Sequence, residues 1–284
     1  MKTHSLKNEY LALEYLASAL RISALIPTGR SNLFADLRDA APISTPYGEF
    51  QFLGGHRLWH SPEAMPRTYI PDAPVAITEL SDGVALETPT EPGSGVRKHI
   101  EIHLAPDRPS VLVVHTLTND GLWPIKLAPW AITQFRTGGV AILPQAKGET
   151  GLLPNRILSF WPYSDVASPE FVIGNEFILI HAAMQAPFKI GFPNPRGWLA
   201  YWIDETLFIK RSEFDPAGEY GDFGSSSECY SCKEFLELET LAPLCLLEPG
   251  SSASHTETWE IYSEVTKPEN EKEAFEIINR YQLD

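Results

Sequence analysis

The sequence is poor in cysteine and in basic residues. Its 284 residues include three cysteines, and 22 Lys and Arg stand against 37 Asp and Glu, which gives a formal net charge of -15. An acidic surface repels phosphate backbones and anionic membrane surfaces, so this charge argues against a nucleic acid or a membrane as partner. Few cysteines fit a reducing compartment.

The sequence also lacks the pattern of a secretion signal or of a membrane span. Residues 1–9 are polar, and the apolar stretch 10–26 is interrupted by Glu14 and Arg21. A spanning helix needs about 20 mostly apolar residues. We therefore expect a cytoplasmic protein.

The motifs of several common enzyme classes are missing. The chain has no glycine-rich phosphate loop, no G-x-G-x-x-G after a strand, no H-E-x-x-H and no G-x-S-x-G. Cys229 and Cys232 have the C-x-x-C spacing, but no second pair completes a tetrahedral zinc site. We expect buried or reduced thiols here, no cofactor and no metal.

Strand-sized apolar runs are present along most of the chain. They are rich in Val, Ile, Thr and aromatic residues and are bounded by Gly, Pro, Asn or Asp, which is typical of β-strands. Clear examples are residues 111–117, 177–182, 198–203, 206–210 and 235–241. The 24 prolines and 19 glycines are spread evenly, which indicates many turns and no central linker. We predict a mainly β protein with a single domain over residues 1–284.

Two segments have helical spacing. Residues 268–281 carry apolar side chains on one helical face and begin with Pro268 and acidic residues, so we predict a C-terminal helix. Residues 10–20 are ambiguous, because their leucines also have helical spacing. Residues 21–26 followed by the turn-forming residues 27–32 favour strands, and we predict strands for the whole stretch.

Four segments in order resemble the galactose mutarotase-like (aldose 1-epimerase-like) family, and in particular a bacterial branch of it. They are RISALIPTGRSNLF at 21–34, FLGGHRLWHSPE at 52–63, HTLTN with WPIKLAPW at 115–130, and YGD through FLELETL, LEPG and HTETW at 220–259. The resemblance implies a large two-layer antiparallel β-sandwich whose concave face holds a sugar or an oligosaccharide.

The resemblance also implies a proton-transfer site. Mutarotation needs a base that takes the proton from the anomeric hydroxyl and an acid that protonates the ring oxygen. In the sugar mutarotases the base is a glutamate, and Leu-Glu-Thr at 238–240 matches the motif around it, which makes Glu239 the candidate base. Glu237 shares its strand face. Trp130 stands where the family carries its acid histidine, so His181 is the alternative acid and Trp130 a stacking or core residue.

The run at residues 52–63 is the best candidate for substrate binding. Its paired glycines let the backbone approach a ligand closely. Arg57 offers a planar fork of donors for vicinal hydroxyls or a carboxylate, and Trp59 offers an apolar plate, with His56 beside them. The alternative is an internal ion pair of Arg57, for example with Glu63.

Three further residues have the side chains that sugar clefts use. Gln134 and Trp161 are polar and aromatic candidates, and Lys189 is a charge placed between two apolar residues. We include all three as candidate substrate-binding residues, although each is also compatible with a structural role.

The sequence therefore predicts a carbohydrate-binding protein and leaves catalysis open. If it is an enzyme, it is an aldose 1-epimerase-like isomerase with Glu239 as general base. The alternatives are a non-catalytic protein-interaction module and a glycoside-cleaving enzyme that uses two carboxylates, such as Glu63 and Glu239. The sugar hypotheses predict that Arg57, Trp130 and Glu239 meet in one pocket.

Overall fold

A computed structural model describes residues 2–284, and antiparallel strands account for most of its regular structure. In chain order the strands are β1 (Thr3–Lys7), β2 (Leu11–Leu16), β3 (Arg21–Pro27), β4 (Asp36–Leu37), β5 (Ile43–Thr45), β6 (Gly48–Phe50), β7 (Leu53–Ser61), β8 (Ala76–Leu80), β9 (Gly83–Glu87), β10 (Val96–Leu104), β11 (Ser110–Asn119), β12 (Ile125–Phe135), β13 (Val140–Pro144), β14 (Ser159–Phe160), β15 (Phe171–Ile173), β16 (Phe177–His181), β17 (Phe188–Phe192), β18 (Trp198–Ile203), β19 (Thr206–Arg211), β20 (Ser227–Ser231), β21 (Leu236–Leu241), β22 (Cys245–Leu247) and β23 (Ser252–Ser263). A single turn, α1 (Gly221–Gly224), and the C-terminal helix, α2 (Glu271–Arg280), complete the elements.

The strands form two large sheets. The eleven-stranded sheet runs in the order β1-β2-β3-β7-β12-β21-β20-β17-β14, with β4 and β22 added beside β7 and β12. The ten-stranded sheet runs β15-β16-β13-β18-β19-β23-β11-β10-β9-β8, and β5 pairs with β6 separately. The prediction of a mainly β sandwich is confirmed, and so is the choice of strands over a helix near residues 10–20.

The main core lies between the two sheets. Because alternate residues of a strand share a face, Leu236 and Leu238 of β21 point inward, where they pack in the same cluster as Val111 and Val113 of β11. Glu237 and Glu239 therefore point to the outer face of the eleven-stranded sheet. That outer face is where polar and aromatic side chains accumulate.

The C-terminal helix packs on the outer face of the ten-stranded sheet. Its buried residues Ala274 and Ile278 join a cluster that includes Val140 and Trp198. The Asn270 side chain accepts a hydrogen bond from the Glu273 amide at 3.1 Å, so the helix begins at Glu271 and not at the preceding proline. The predicted C-terminal helix is confirmed. Within residues 2–284, neither helix has the length and apolarity required to span a membrane.

Candidate functional site

Five strands of the eleven-stranded sheet line a cavity of about 170 Å³ on its outer face. We call it the main cavity. Strand residues form its floor, and loop residues close its rim. The lining residues are Phe52, Arg57, Trp59, Glu63, Tyr69, Trp130, Ile132, Tyr163, Lys189, Tyr230, Phe235 and Glu237.

Strand register explains why these side chains meet. Trp130 of β12 lies directly opposite Trp59 of β7, and Ile132 lies opposite Arg57. Residues that face each other across an antiparallel pair point to the same side of the sheet. The two tryptophan rings pack edge to face with their centroids 5.5 Å apart, and they form an apolar wall of the cavity.

Glu237 is the carboxylate that opens onto the main cavity from the strand β21. Its Oε1 accepts a hydrogen bond from Arg57 NH2 at 3.0 Å. Burial raises the pKa of Glu237 to about 7, against the attraction of Arg57 and with added repulsion from Glu239. A carboxyl group that titrates near neutral pH can both accept and return a proton, as general acid–base catalysis requires.

Lys189 of the strand β17 also lines the cavity, and carboxylates and aromatic rings surround its ammonium group. Its Nζ is 2.7 Å from Glu228 Oε2 and 3.0 Å from Glu239 Oε2. The same ammonium lies 4.8 Å from the ring centroid of Trp130 and 4.7 Å from that of Trp161, within the range of cation–π attraction. Burial lowers the pKa of Lys189, but the two carboxylates outweigh it and hold the pKa well above its usual value.

Glu239 lies behind this cavity and does not line it. Its side chain is fully buried, and its Oε2 accepts hydrogen bonds from Lys189 and from Trp130 Nε1, the latter at 2.8 Å. Its Oε1 has no hydrogen-bond partner among residues 2–284. The structure thus brings Arg57 and Trp130 to one cavity and places Glu239 where it can orient Lys189 and Trp130.

Arg57 is stacked on Trp59, with Cζ 4.1 Å from the indole centroid. It forms its ion pair with Glu237 and not with Glu63, whose carboxylate accepts a hydrogen bond from the Tyr69 hydroxyl. Both Nε and NH1 of Arg57 are buried without a hydrogen-bond partner in the part of the chain that the structure describes. These donors are the kind of group that a bound ligand satisfies.

Two predicted binding residues do not reach the main cavity. His56 lies next to Arg57 in the sequence, so strand alternation turns it to the opposite face, where it hydrogen-bonds to Thr133 and His115 between the sheets. Gln134 lies opposite Glu237 and on its face, but its side chain is fully buried and does not line the cavity. Its amide nitrogen and oxygen have no partner among the described residues.

The other two candidates are placed differently from each other. His181 ends the strand β16 of the ten-stranded sheet, so the structure does not bring it to the cavity in the eleven-stranded sheet. Trp161 follows β14 at the edge of the eleven-stranded sheet and reaches Lys189, as described above. Lys189, Trp59 and Trp130 line the cavity directly.

Sequence reasoning missed Glu228, Tyr230 and Tyr163. Glu228 lies opposite Glu239, and Tyr230 lies opposite Glu237, in the β20–β21 pair. The alternation of Glu228 and Tyr230 two residues apart matches that of the two glutamates, and pairing the two segments as a hairpin would have revealed both. Tyr163 comes from a loop, for which the sequence carries no comparable signal.

One group of side chains has metal-ligand spacing, and it lies between the sheets. Within residues 2–284, potential donor atoms of His56, His115 and Glu257 lie within 4.8 Å of one another. Lys210 Nζ is 2.7 Å from Glu257 Oε1, so the carboxylate already has a cationic partner. The two imidazoles hydrogen-bond to each other at 2.7 Å. A hydrogen-bonded core accounts for these residues without a metal.

Several solved structures superimpose on most of this chain. A galactose mutarotase-like protein from Lactobacillus casei superimposes with a TM-score of 0.63 at 10% identity, over 92% of this chain and 100% of that one. A protein from Escherichia coli K12, provisionally described as an aldose 1-epimerase, has a TM-score of 0.58 at 14% identity, over 92% and 99%. Another protein with the same provisional description, from Klebsiella pneumoniae, has a TM-score of 0.60 at 9% identity, over 99% and 83%.

Sequence comparison alone finds no such relationship. No protein-family profile matches the chain. No curated protein matches it either. The structural matches confirm the resemblance predicted from the sequence at the level of the fold, and they extend over nearly the whole chain. This chain has the galactose mutarotase-like fold.

Proposed function

We propose that this protein binds a sugar in the main cavity and interconverts its α and β anomers. The observation that carries the proposal is Glu237, a carboxyl group with a pKa of about 7 that opens onto a cavity lined by tryptophan and tyrosine. The fold it shares with galactose mutarotase-like proteins supports the same chemistry.

The lining of the cavity suits a pyranose ring. Trp59 and Trp130 offer apolar surface to the C–H faces of the sugar, while Tyr163 and Tyr230 add aromatic surface with hydroxyl groups. Arg57 and Lys189 supply charged donors to ring hydroxyls. A few polar groups within a mostly aromatic concavity are typical of small-molecule sites.

The reaction assigns one proton transfer to Glu237 and another to Lys189. Glu237, in its ionised form, removes the proton from the anomeric hydroxyl, and the electron pair forms the carbonyl as the bond from C1 to the ring oxygen breaks. Lys189 gives a proton to that ring oxygen and recovers it when the ring closes on the other carbonyl face, while Glu237 returns its proton to the carbonyl oxygen. The raised pKa of Lys189 keeps this donor charged at neutral pH, and it also makes the ammonium a weak acid, so this proton moves as negative charge develops on the ring oxygen.

Trp130 and Glu239 act through Lys189 in this scheme. The indole of Trp130 donates to Glu239, so it is committed to positioning and does not supply a proton to the sugar. Glu239 binds both Trp130 and Lys189 and therefore fixes the direction of the ammonium. The proposed base is thus Glu237, two residues before the glutamate that the family motif points to.

The test is anomer exchange followed by NMR, with Glu237→Gln and Glu239→Gln compared against the wild type. For Glu237→Gln we expect turnover to fall by about 100-fold or more, with sugar affinity little changed, since glutamine keeps the size and the acceptor of glutamate. For Glu239→Gln we expect both affinity and turnover to fall, because Lys189 loses a partner.

Full exchange by Glu237→Gln would contradict the assignment. If exchange is lost only in Glu239→Gln, the base is Glu239 and the cavity must open further on binding. Sugar binding with no exchange in the wild type would leave a carbohydrate-binding protein without catalysis.

A glycoside-cleaving enzyme is the second candidate, because Glu63 and Glu237 both line the cavity. Two carboxylates across a sugar are the machinery of glycoside hydrolysis. Release of phenol from aryl glycosides by the wild type, abolished in both Glu63→Gln and Glu237→Gln, would favour this reaction over anomer exchange.

A further inference from the structure

Arg21 and Arg57 lie directly opposite each other on the adjacent strands β3 and β7. Both side chains are buried, with 1% and 3% of their surfaces exposed. Each is paired through NH2 alone, Arg21 with Asp72 and Arg57 with Glu237, both at 3.0 Å. Two neighbouring buried guanidinium groups of like charge are costly unless more acceptors reach them.

The remaining donors of this pair have no acceptor in the structure. Nε and NH1 of Arg21, and Nε and NH1 of Arg57, are buried without a hydrogen-bond partner among residues 2–284. Nearly all buried polar groups in native proteins are satisfied, so four unsatisfied nitrogens on two facing guanidiniums require an explanation. An oxyanion placed between them would accept from both.

A small cavity lies where such an anion would bind. It has a volume of about 50 Å³, is lined by Arg21, Arg57 and Lys98, and shares Arg57 and Trp59 with the main cavity. We call it the side cavity. Arg57 and Trp59 border both cavities, so a sugar held against Trp59 in the main cavity lies beside the side cavity.

The charge of the side cavity limits the anion it can take. Its three cationic residues face two carboxylates, Asp72 and Glu91, and Arg57 also pairs with Glu237 outside it, so the residual positive charge is at most one. Glu91 is ionised: burial raises its pKa, but Lys98 and His60 outweigh burial and lower the pKa to about 2. One residual positive charge matches a monoanion. It does not match a phosphate monoester, which carries about -1.5 to -2 charges at neutral pH.

We propose that the side cavity binds the carboxylate of an acidic sugar, and that Arg21 selects for that carboxylate. This proposal rests on the proposed function, since it requires the sugar ring to occupy the main cavity. A planar carboxylate fits the fork of donors of a guanidinium, and it would supply acceptors to both arginines at once. Neutral sugars leave these donors unsatisfied, so the wild type prefers a hexuronate over the corresponding hexose.

The experiment measures affinities by calorimetry for three ligand classes: D-glucuronate and D-galacturonate, D-glucose and D-galactose, and the hexose 6-phosphates. For the wild type we expect hexuronates to bind roughly tenfold or more tightly than the matched hexoses, as charge-assisted hydrogen bonds would give. Arg21→Met removes the guanidinium and keeps an apolar side chain, and it should abolish that preference while hexose affinity persists. The control is Arg108→Met, which removes an exposed arginine whose only ion pair in the described chain is to Asp107.

Each outcome decides the proposal. Equal binding of hexuronates and hexoses by the wild type would overturn it and leave the proposed function intact. Tighter binding of hexose 6-phosphates than of hexuronates would overturn the carboxylate assignment. Equal loss of hexose and hexuronate affinity in Arg21→Met would show that Arg21 is structural and not selective. Absence of binding by all three classes would overturn the proposed function together with this inference.

Discussion

Two clusters of buried charge lie on opposite faces of the eleven-stranded sheet. The cavity cluster comprises Arg57, Lys189, Glu228, Glu237 and Glu239 on the outer face, and the core cluster comprises His56, His115, Lys210, His255 and Glu257 between the sheets. The two clusters even include consecutive residues, since His56 belongs to the core cluster and Arg57 to the cavity cluster. Their hydrogen bonding is nevertheless very different.

Within the described residues, no fully buried polar side-chain atom of the core cluster lacks a hydrogen-bond partner. Lys210 Nζ contacts Glu257 at 2.7 Å and donates to Thr133 Oγ1 and to the Leu238 carbonyl at 3.0 Å each. Trp259 Nε1 donates to the other carboxylate oxygen of Glu257 at 2.8 Å. Burial raises the pKa of Glu257, but Lys210 and the nearby imidazoles outweigh it and hold that pKa far below its usual value.

The cavity cluster is left incomplete. Among residues 2–284, Nε and NH1 of Arg57 and Oε1 of Glu239 have no hydrogen-bond partner, and the cluster borders an open cavity. A complete buried network holds a fold together, whereas an incomplete one beside a cavity has capacity for a ligand. The core cluster is therefore suited to stabilising the fold, and the cavity cluster has free hydrogen-bonding groups for the ligand that we propose.

The largest effect on stability should come from Lys210→Met. It leaves the fully buried Glu257 without its ammonium partner, which should lower the free energy of unfolding by about 3–5 kcal/mol in urea denaturation. Lys126→Met is the control, because it removes the ammonium of an exposed pair with Glu219 and should cost less than about 1 kcal/mol. If both variants lower the free energy of unfolding equally, the core cluster does not have the stabilising role described here.

Glu237 should make stability fall as pH rises. Its pKa is about 7 in the folded protein against an ordinary value of 4.5. Its stabilising contribution is therefore fully present below pH 4.5 and is lost as the pH rises through 7, up to about 3 kcal/mol. We expect the unfolding free energy of wild type relative to Glu237→Gln to decline across that window. Glu234→Gln, the same substitution at an exposed position, is the matched control.

Lys189→Met should lower the free energy of unfolding less than Lys210→Met does. It should reduce anomer exchange more. Burial raises the pKa of Glu228 well above its usual value against the attraction of Lys189, so Glu228 can retain a proton when Lys189 is removed. We expect a loss of about 2 kcal/mol in unfolding free energy, together with loss of anomer exchange. Urea denaturation and NMR exchange on the same sample measure both. If the variant is destabilised but fully active, Lys189 stabilises the fold and takes no part in anomer exchange.

The smallest effect should come from Trp130→Phe, which removes one hydrogen bond to Glu239. We expect a cost of about 1 kcal/mol in unfolding free energy and a reduced rate of anomer exchange. Trp202→Phe is the matched control, because its indole donates to the Val265 carbonyl at 2.7 Å in the other sheet. It should cost a similar amount of stability and leave exchange unchanged. Equal rates in the two variants would remove Trp130 from the positioning role.

Strand alternation made part of the site predictable. Arg57 and Trp59 are two residues apart in a strand, and so are Glu237 and Glu239, so each pair had to share a face. Alternation along one strand does not show whether residues from other strands cover a side chain. Glu239 is covered by Trp130 and Lys189, which come from other strands, whereas Glu237 is open to the main cavity.

Contacts between segments that are distant in the sequence could not be predicted from it. Pairing of β3 with β7 sets Arg21 against Arg57, and pairing of β17 with β20 brings Lys189 to Glu228. His181 lies in an apolar, strand-like run of sequence, as His56 and His115 do, and this run does not show which sheet its strand joins. In the structure that strand belongs to the ten-stranded sheet. Which strands become neighbours depends on packing of the whole chain, and no single segment encodes it.

By itself, the sequence determined the strand-rich composition, the faces of the strands, the C-terminal helix and the resemblance to mutarotase-like proteins, because these follow from local periodicity and short motifs. The tertiary structure decided which carboxylate faces the main cavity, which histidines are confined to the core, and which arginines face each other. Those outcomes depend on strand order, and strand order is fixed only when the two sheets close over their common core.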